Sequence, residues 1–244
     1  MCADYTPSRS DAMSQHFGVE RHLFDLPPEV FPGYLAPIIR AAPGAGHARD
    51  CAPACFGLLP HWANPTLVRS TYRSTYRSTY NARMETVASK PSFRNAWQRR
   101  QRCIVPVDHF FEPNYATGQA QRWAISHADG QQLGIAGIWE WRPGGPDSAP
   151  LLSFSMLTIN ADQHPLMRQF HRADEEKRMV VILEAHHYAQ WLDGQLADAA
   201  QLCLPYPAEQ LVARAAPLIR PPALRPKQTT RAPAPRQSDL FGDL

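Results

Sequence analysis

The sequence predicts an α+β fold, a curled antiparallel sheet forming a β-barrel-like core with peripheral helices. Three observations carry that expectation. From residue 103 to residue 183 the chain is a succession of short apolar runs of strand length, separated by Gly and Pro clusters. Only a few segments show helical spacing, and they are interspersed among the strands without an alternating strand–helix rhythm. No Gly-rich phosphate loop is present, so a dinucleotide-binding fold is not expected.

In chain order, residues 9–18 (RSDAMSQHFG) read as a short helix, with Ser10 or Asp11 as its cap and Gly18 as its stop. The stretch 27–54 is rich in Pro, Gly and Ala and reads as loop with one strand near Leu35–Ile39. FGLLP at 56–60 has the look of a short buried strand. Residues 70–80 spell STYRSTYRSTY, a tandem repeat whose four-residue period fits neither strand nor helix. Two readings stand for it: a repeat expansion inside a surface loop, or an Arg/Tyr surface in which Arg73 and Arg77 contact nucleic acid by charge and stacking. SFRNAWQRRQ at 92–101 reads as a helix capped by Ser92, with Phe93 and Trp97 on one face and a basic last turn.

Strands are then expected at CIVPV (103–107), FFE (110–112), RWAIS (122–126), LGIAGIWEW (133–141) and LLSFSMLTI (151–159). HPLMRQF (164–170) reads as a short helix and RMVVIL (178–183) as a buried strand. EAHHYAQWL (184–192) reads as a helix that packs Tyr188, Trp191 and Leu192. One domain is expected over residues 2–220, since 244 residues suffice for one sizeable core. After residue 220 the chain is rich in Pro, Ala and Arg without periodicity, which describes a disordered tail over 221–244.

Composition narrows the function classes. Hydrophobic content of 44% and charged content of 19% are ordinary, whereas 24 Pro residues are many. A net charge of +3 permits a nucleic-acid partner without demanding one. No apolar run approaches the ~20 residues of a membrane helix, and the first twenty residues carry no apolar h-region, so no membrane association is expected. A cytoplasmic location with five reduced thiols follows as the expectation. Cys51 and Cys55 lie close together, but no second Cys or His pair at finger spacing follows, so neither a metal nor a cofactor is expected.

The candidate chemistry begins at Met1-Cys2. Initiator Met is generally removed ahead of a small second residue, and removal exposes an α-amine and a thiol on one carbon skeleton. With reference pKa values of ~7.7–8.0 and ~8.5, both nucleophiles are partly available near neutral pH. The amine condenses with an aldehyde to an imine, and the thiol closes a thiazolidine. Three segments give Cys2 its context: NARMET (81–86), CIVPVDHFFEP (103–113) with Glu112 at a strand end, and QFHRADEEKRMVVIL (169–183) with His171 ahead of a buried strand.

In combination and in this order these segments resemble the SRAP family, the SOS response-associated peptidase proteins that cross-link to abasic sites in single-stranded DNA. The resemblance covers most of residues 2–195 and also includes FGLLPHWA (56–63) and IAGIWEW (135–141). It implies an α+β fold with a barrel-like core and a basic groove leading to the N-terminal Cys. It implies Cys2 as the nucleophile, Asn81 as a hydrogen-bonding holder of the first residue or the sugar, and Glu112 as general acid/base. His171 would assist opening of the deoxyribose ring, with His164 as its competitor for that role. Arg83 would pair with a phosphate and Trp62 would stack beside the lesion. The peptidase label fits removal of Met1, by the protein itself or by an aminopeptidase.

The sequence departs from the family pattern in three places. Asp4 stands where a basic residue is common, which predicts lost phosphate contact and added repulsion. Pro113 stands where an aromatic commonly follows the Glu. ADEEK (173–177) is inserted between His171 and Arg178. In the tail, QSDLF (237–241) resembles the motif by which bacterial replication and repair proteins dock on the sliding clamp, with Gln237 at a polar edge and Leu240 and Phe241 in an apolar cleft. Two other function classes stay open: a thiol peptidase acting on proteins through Cys2 and His171, and a non-catalytic single-stranded DNA-binding module using Trp62, Arg83 and the repeat.

Overall fold

A computed structural model of the chain describes residues 2–20, 25–42, 48–63, 78–144 and 149–218. The chain enters through β1 (Tyr5–Pro7) and a helix at Ser10–Phe17 that stops at Gly18, where φ is +65°. Gly takes that left-handed turn without the β-carbon penalty. β2 (Leu35–Ala41) and β3 (Arg49–Phe56) form an antiparallel pair in which Pro37 lies opposite Pro53. β4 (Asn81–Arg83) is followed by turns and a helix at Arg94–Gln98. Four long strands come next: β5 (Arg102–Asn114), β6 (Gln121–His127), β7 (Leu133–Arg142) and β8 (Leu151–Asn160). β9 (Arg178–Val180), β10 (Ile182–Leu183), helices at Tyr188–Asp193 and Leu196–Gln201, and β11 (Leu211–Ala215) complete the described elements.

These strands belong to one sheet, and β5 is its pivot. Its first half pairs with β7 over Arg102–Val107 and its second half with β6 over His109–Asn114. β1 pairs with β5 at Phe110 and His109, and Ile39 of β2 pairs with Ile104. β7 pairs with β8, and β8 with β3. The path β5–β7–β8–β3–β2 therefore returns to β5, and the sheet closes on itself. Closure leaves the strands of the ring without open edges. Ile38, Phe56, Ile104, Ile135, Phe154 and Met156 are fully buried in it. Phe56 stacks on Phe154 with centroids 5.2 Å apart, and each such buried side chain stabilises the fold by roughly 1.5–3 kcal/mol. Trp191 is buried too, and its indole N–H donates to the Cys103 carbonyl at 2.8 Å, which satisfies the one polar atom of that ring.

The fold class is α+β as expected, with local differences. The sheet is mixed, because β3 and β4 run parallel to β8. The strand expected at 56–60 ends at Phe56, where Gly57 takes φ +110° and turns the chain out of the sheet. CIVPV and FFE are two halves of one strand that changes partner near Asp108. The expected helix at 164–170 is a single 3-10 turn at Met167–Gln169, since the His164 ring accepts from the Leu166 and Met167 N–H groups and competes with the helical ladder. RMVVIL splits at Val181, one part pairing with β8 and the other with β7. The helix cap positions fall on Arg9 and Phe93 rather than Ser10 or Asp11 and Ser92. The stretch 27–54, read as loop with one strand, also carries most of β3, and β1, β3, β4, β11 and the Leu196–Gln201 helix carry too short or too mixed a pattern to show in the sequence. Among the described residues, no helix is long and apolar enough to cross a membrane.

Candidate active site

The N-terminal residues are stitched to the sheet by main-chain bonds. Tyr5 exchanges hydrogen bonds with Val30, and the Phe111 N–H donates to the Asp4 carbonyl at 3.1 Å. This brings residues 2–4 alongside the end of β5 that carries Glu112. Cys2 is 0% exposed. Its thiol donates to the Asp4 carbonyl at 3.5 Å. Its own carbonyl accepts from Asn81 Nδ2 at 3.1 Å, and that amide also donates to the Tyr80 carbonyl at 2.8 Å. Asn81 reaches this place because β4 runs beside β8, with Asn81 opposite Met156. Among the described residues, the buried Asn81 Oδ1 atom has no hydrogen-bond partner.

Glu112 and His171 form the second half of the site. His171 Nε2 lies 2.8 Å from Glu112 Oε2, and the two residues are 7% and 1% exposed. A buried carboxyl and an imidazole thus lie within hydrogen-bonding distance of each other. The loop that carries His171 is tied to β5: its N–H donates to the Pro113 carbonyl at 2.8 Å, and Asn114 Nδ2 donates to the Gln169 carbonyl at 3.3 Å. His171 adopts φ +63°, a left-handed conformation uncommon for a non-Gly residue. The two halves meet electrostatically. Burial pushes the Cys2 thiol well above the ordinary thiol range, and the negative charges of Glu112 and Asp4 push it further. The thiol is therefore protonated at neutral pH and depends on a nearby base for activation.

A cleft of about 310 Å³ opens here, lined by Ala3, Asp4, Phe111, Glu112, Pro113 and Arg122 among others. Two phenols that no sequence pattern singles out stand beside Cys2. Tyr5 is fully buried with an unpartnered hydroxyl, and burial followed by the charge of Cys2 pushes its pKa up. Tyr80 is raised by burial and then by the charges of Cys2 and Glu112. Arg122 is the third such residue. No short-range pattern marks any of them, because each is brought in by pairing between distant segments.

Of the sequence-nominated residues, Cys2, Asn81, Glu112 and His171 come together. Trp62 stands at the surface on the turn at 61–63, 60% exposed. Arg83 is exposed and donates to Glu176 Oε2 at 2.7 Å, so an acidic side chain occupies the group expected to meet phosphate. Glu176 belongs to the inserted ADEEK segment and also accepts from Arg178 and Asn160. His164 is a structural histidine: Nε2 lies 2.8 Å from the Tyr206 carbonyl and Nδ1 accepts from the Leu166 and Met167 N–H groups. Asp4, expected from the sequence to add repulsion, is paired with Arg122, whose Nη2 lies 2.7 Å from Asp4 Oδ2. Arg73, Arg77, Gln237, Leu240 and Phe241 lie outside the described residues. Among the described residues, no cluster of His, Cys, Asp and Glu is arranged to hold a metal ion.

The family model described as SOS response associated peptidase (SRAP) matches residues 1–217. The chain belongs to the SRAP family. This SRAP chain is 28% identical over 222 residues to the abasic site processing protein YoqW of Bacillus subtilis (strain 168), covering 87% of this chain and 91% of that protein. It is 26% identical over 193 residues to the abasic site processing protein HMCES of Pongo abelii, covering 67% of this chain and 51% of that protein. A crystal structure of a Bordetella bronchiseptica protein shares the SRAP chain's fold with a TM-score of 0.80 at 36% identity, covering 89% of this chain and 100% of that one. A Bacteroides thetaiotaomicron protein shares the fold with a TM-score of 0.73 at 22% identity, over 88% of this chain and 91% of that one.

Proposed function

We propose that this SRAP chain processes abasic sites in single-stranded DNA by covalent capture through Cys2. The observation that carries the reading is the meeting of Cys2, held by Asn81, with the hydrogen-bonded Glu112 and His171 at the end of β5. Relatives named as abasic site processing proteins support it. With Met1 removed, the Cys2 amine attacks the open-chain aldehyde of the deoxyribose, and loss of one water leaves an imine. The thiol then adds to the imine carbon, its proton passes to nitrogen, and a thiazolidine results. Glu112 moves protons in both steps, and His171 donates to the ring oxygen when the closed hemiacetal opens. A protonated thiol suits this order, because the amine acts first and the sulfur is deprotonated only as the ring closes.

Removal of Met1 by the protein itself fits the same groups. A thiol peptidase acting on other proteins fits less well, because the Cys2 thiol donates to the Asp4 carbonyl rather than to an imidazole.

The test is a denaturing gel of purified protein, with Met1 removal checked by mass spectrometry, incubated with single-stranded DNA containing an abasic site. We expect a shifted band that disappears in Cys2→Ala. Retained native binding without a shifted band would leave only a non-catalytic binding module, and Cys2-dependent cleavage of proteins would favour the peptidase. The QSDLF segment extends the proposal to a partner, the bacterial sliding clamp. A peptide of residues 228–244 should bind the clamp, and Leu240→Ala with Phe241→Ala should abolish binding; a wild-type peptide that does not bind removes the clamp from the reading.

A further inference from the structure

Asp4 has two functions at the mouth of the cleft. Its main-chain carbonyl accepts from the Cys2 thiol at 3.5 Å and from the Phe111 N–H at 3.1 Å. Its carboxylate is gripped by Arg122, with Oδ2 accepting from Nε at 2.9 Å and from Nη2 at 2.7 Å. Nη2 also donates to Glu29 Oε2 at 2.9 Å, and the guanidinium lies over the Phe111 ring. Arg122 therefore joins three separate pieces of chain: the N-terminal segment, the segment carrying Glu29, and β5. It arrives there through sheet register, which sets it opposite Pro113 and one position from the Glu112–Trp123 pair. Its side chain is 16% exposed, so the pairing is only partly screened by water.

Chain ends fray unless they are tied down. Ahead of β1 the ties on residues 2–4 are few: the Asn81 amide on the Cys2 carbonyl, the Phe111 N–H on the Asp4 carbonyl, and the Arg122 fork on the Asp4 carboxylate. Only the last is charge-assisted. Resting on the reading of Cys2 as the nucleophile, we propose that Arg122 is a positioning residue: through Asp4 it holds the first residues of the chain in register with Glu112, so that the reacting atoms of Cys2 stay within reach of Glu112 and His171. Loss of the fork frees Asp4, lengthens the untied end, and leaves the carboxylates of Asp4 and Glu29 facing each other without their shared cation. The role acts through placement, and Arg122 touches neither the aldehyde nor the thiol.

The test uses the full-length protein as Asp4→Ala, as Arg122→Ala, and as the exchange Asp4→Arg with Arg122→Asp. The exchange keeps the net charge and rebuilds an ion pair between the same two positions. The first readout needs no DNA: the rate at which iodoacetamide alkylates Cys2 in the folded protein, read by mass spectrometry of the N-terminal peptide. Each single variant should raise that rate by about tenfold or more, because the buried end opens locally more often, and the exchange should restore most of the protection. The second readout is the single-turnover cross-linking rate at saturating abasic DNA, expected to fall by roughly 10–100-fold in the single variants and to recover in the exchange. Affinity for undamaged single-stranded DNA should stay within about twofold, since a positioning role leaves ground-state binding alone.

Unchanged Cys2 alkylation in folded single variants overturns the proposal, as does an exchange variant no better than the singles. If Arg122→Ala does not fold, Arg122→Lys and the exchange variant decide by the same readouts. A wild-type protein that never cross-links refutes the function above, while the alkylation rates still decide the role of Arg122.

Discussion

His171 is held where a side chain is expensive. At φ +63° its β-carbon crowds the following carbonyl, at a cost of about 1–2 kcal/mol for most L residues, and Asn tolerates the region best. The bond from its N–H to the Pro113 carbonyl fixes the strained turn and aims the ring at Glu112. His171→Asn should therefore keep the fold, with a melting temperature within a few degrees of wild type, yet slow cross-linking by roughly 10²–10⁴-fold, the usual worth of a positioned proton-transfer group. His171→Val should lose the same rate and also melt several degrees lower, because a β-branched residue resists φ above zero. Thermal scans and the cross-linking gel check both; a His171→Asn protein of wild-type rate removes the imidazole from the mechanism. Cys2, Asn81, Glu112 and His171 were legible in the sequence because each sits in a recognisable run of neighbours. Tyr5, Tyr80 and Arg122 were not, because their relation to Cys2 is set by strand register and by no local pattern.

At the scale of elements, the segment 173–177 shows how one carboxylate can join several strands electrostatically. Glu176 accepts from Arg178 at 2.8 Å, from Asn160 at 3.1 Å and from Arg83 at 2.7 Å, so one exposed carboxylate ties β9, β8 and β4 together. Arg178 is itself buried and also grips Glu85, holding that carboxyl below its usual range through the hydrogen bond. Arg83 and Glu176 are both substantially exposed, and such a pair is worth little, within about 0–1 kcal/mol. A phosphate that reaches Arg83 would therefore meet little competition from Glu176. Glu176→Gln should tighten single-stranded DNA binding and steepen its salt dependence by about 0.7–1 in the log–log slope, with stability changed by less than about 0.5 kcal/mol. Titrations at several salt concentrations measure it; an unchanged slope means that Arg83 does not meet phosphate. The sequence exposed the insertion as a gap in a familiar run, but which cations it would engage depended on β4 and β9 flanking β8.

For the whole molecule, burial raises several thiols and a phenol above their ordinary values. Burial pushes Cys51 up to about 11 and Cys203 up to about 12, and raises Cys2 and Tyr5 well above their ordinary values. Below the ordinary thiol value of ~8.5, both folded and unfolded chains hold these protons, and stability is independent of them. As pH rises past ~8.5 the unfolded chain releases protons that the folded chain keeps, so stability falls until the folded groups also titrate. A fully buried thiol such as Cys2 contributes a slope of up to ~1.4 kcal/mol per pH unit in that window. Urea unfolding at pH 8 and pH 10 should show the loss, and Cys2→Ala should make it shallower; an identical slope in the variant would place the Cys2 thiol in water.

The sequence by itself determined the fold class and the run of strands from residue 103 to 183, because apolar periodicity is a short-range property, and its resemblance to the SRAP family nominated four residues for chemistry. Tertiary structure decided what those properties leave open. Glu112 meets His171 rather than His164 because the left-handed turn at His171 returns it to β5, while both ring nitrogens of His164 are taken up by main chain. β5 became one strand with two sets of partners, and β3 and β4 ran parallel to β8, because closing a ring requires pairings between segments far apart in the chain. The sign of Asp4 in the site was settled the same way. Its charge is read as repulsion from the sequence alone, and it becomes an anchor once β6 places Arg122 beside it.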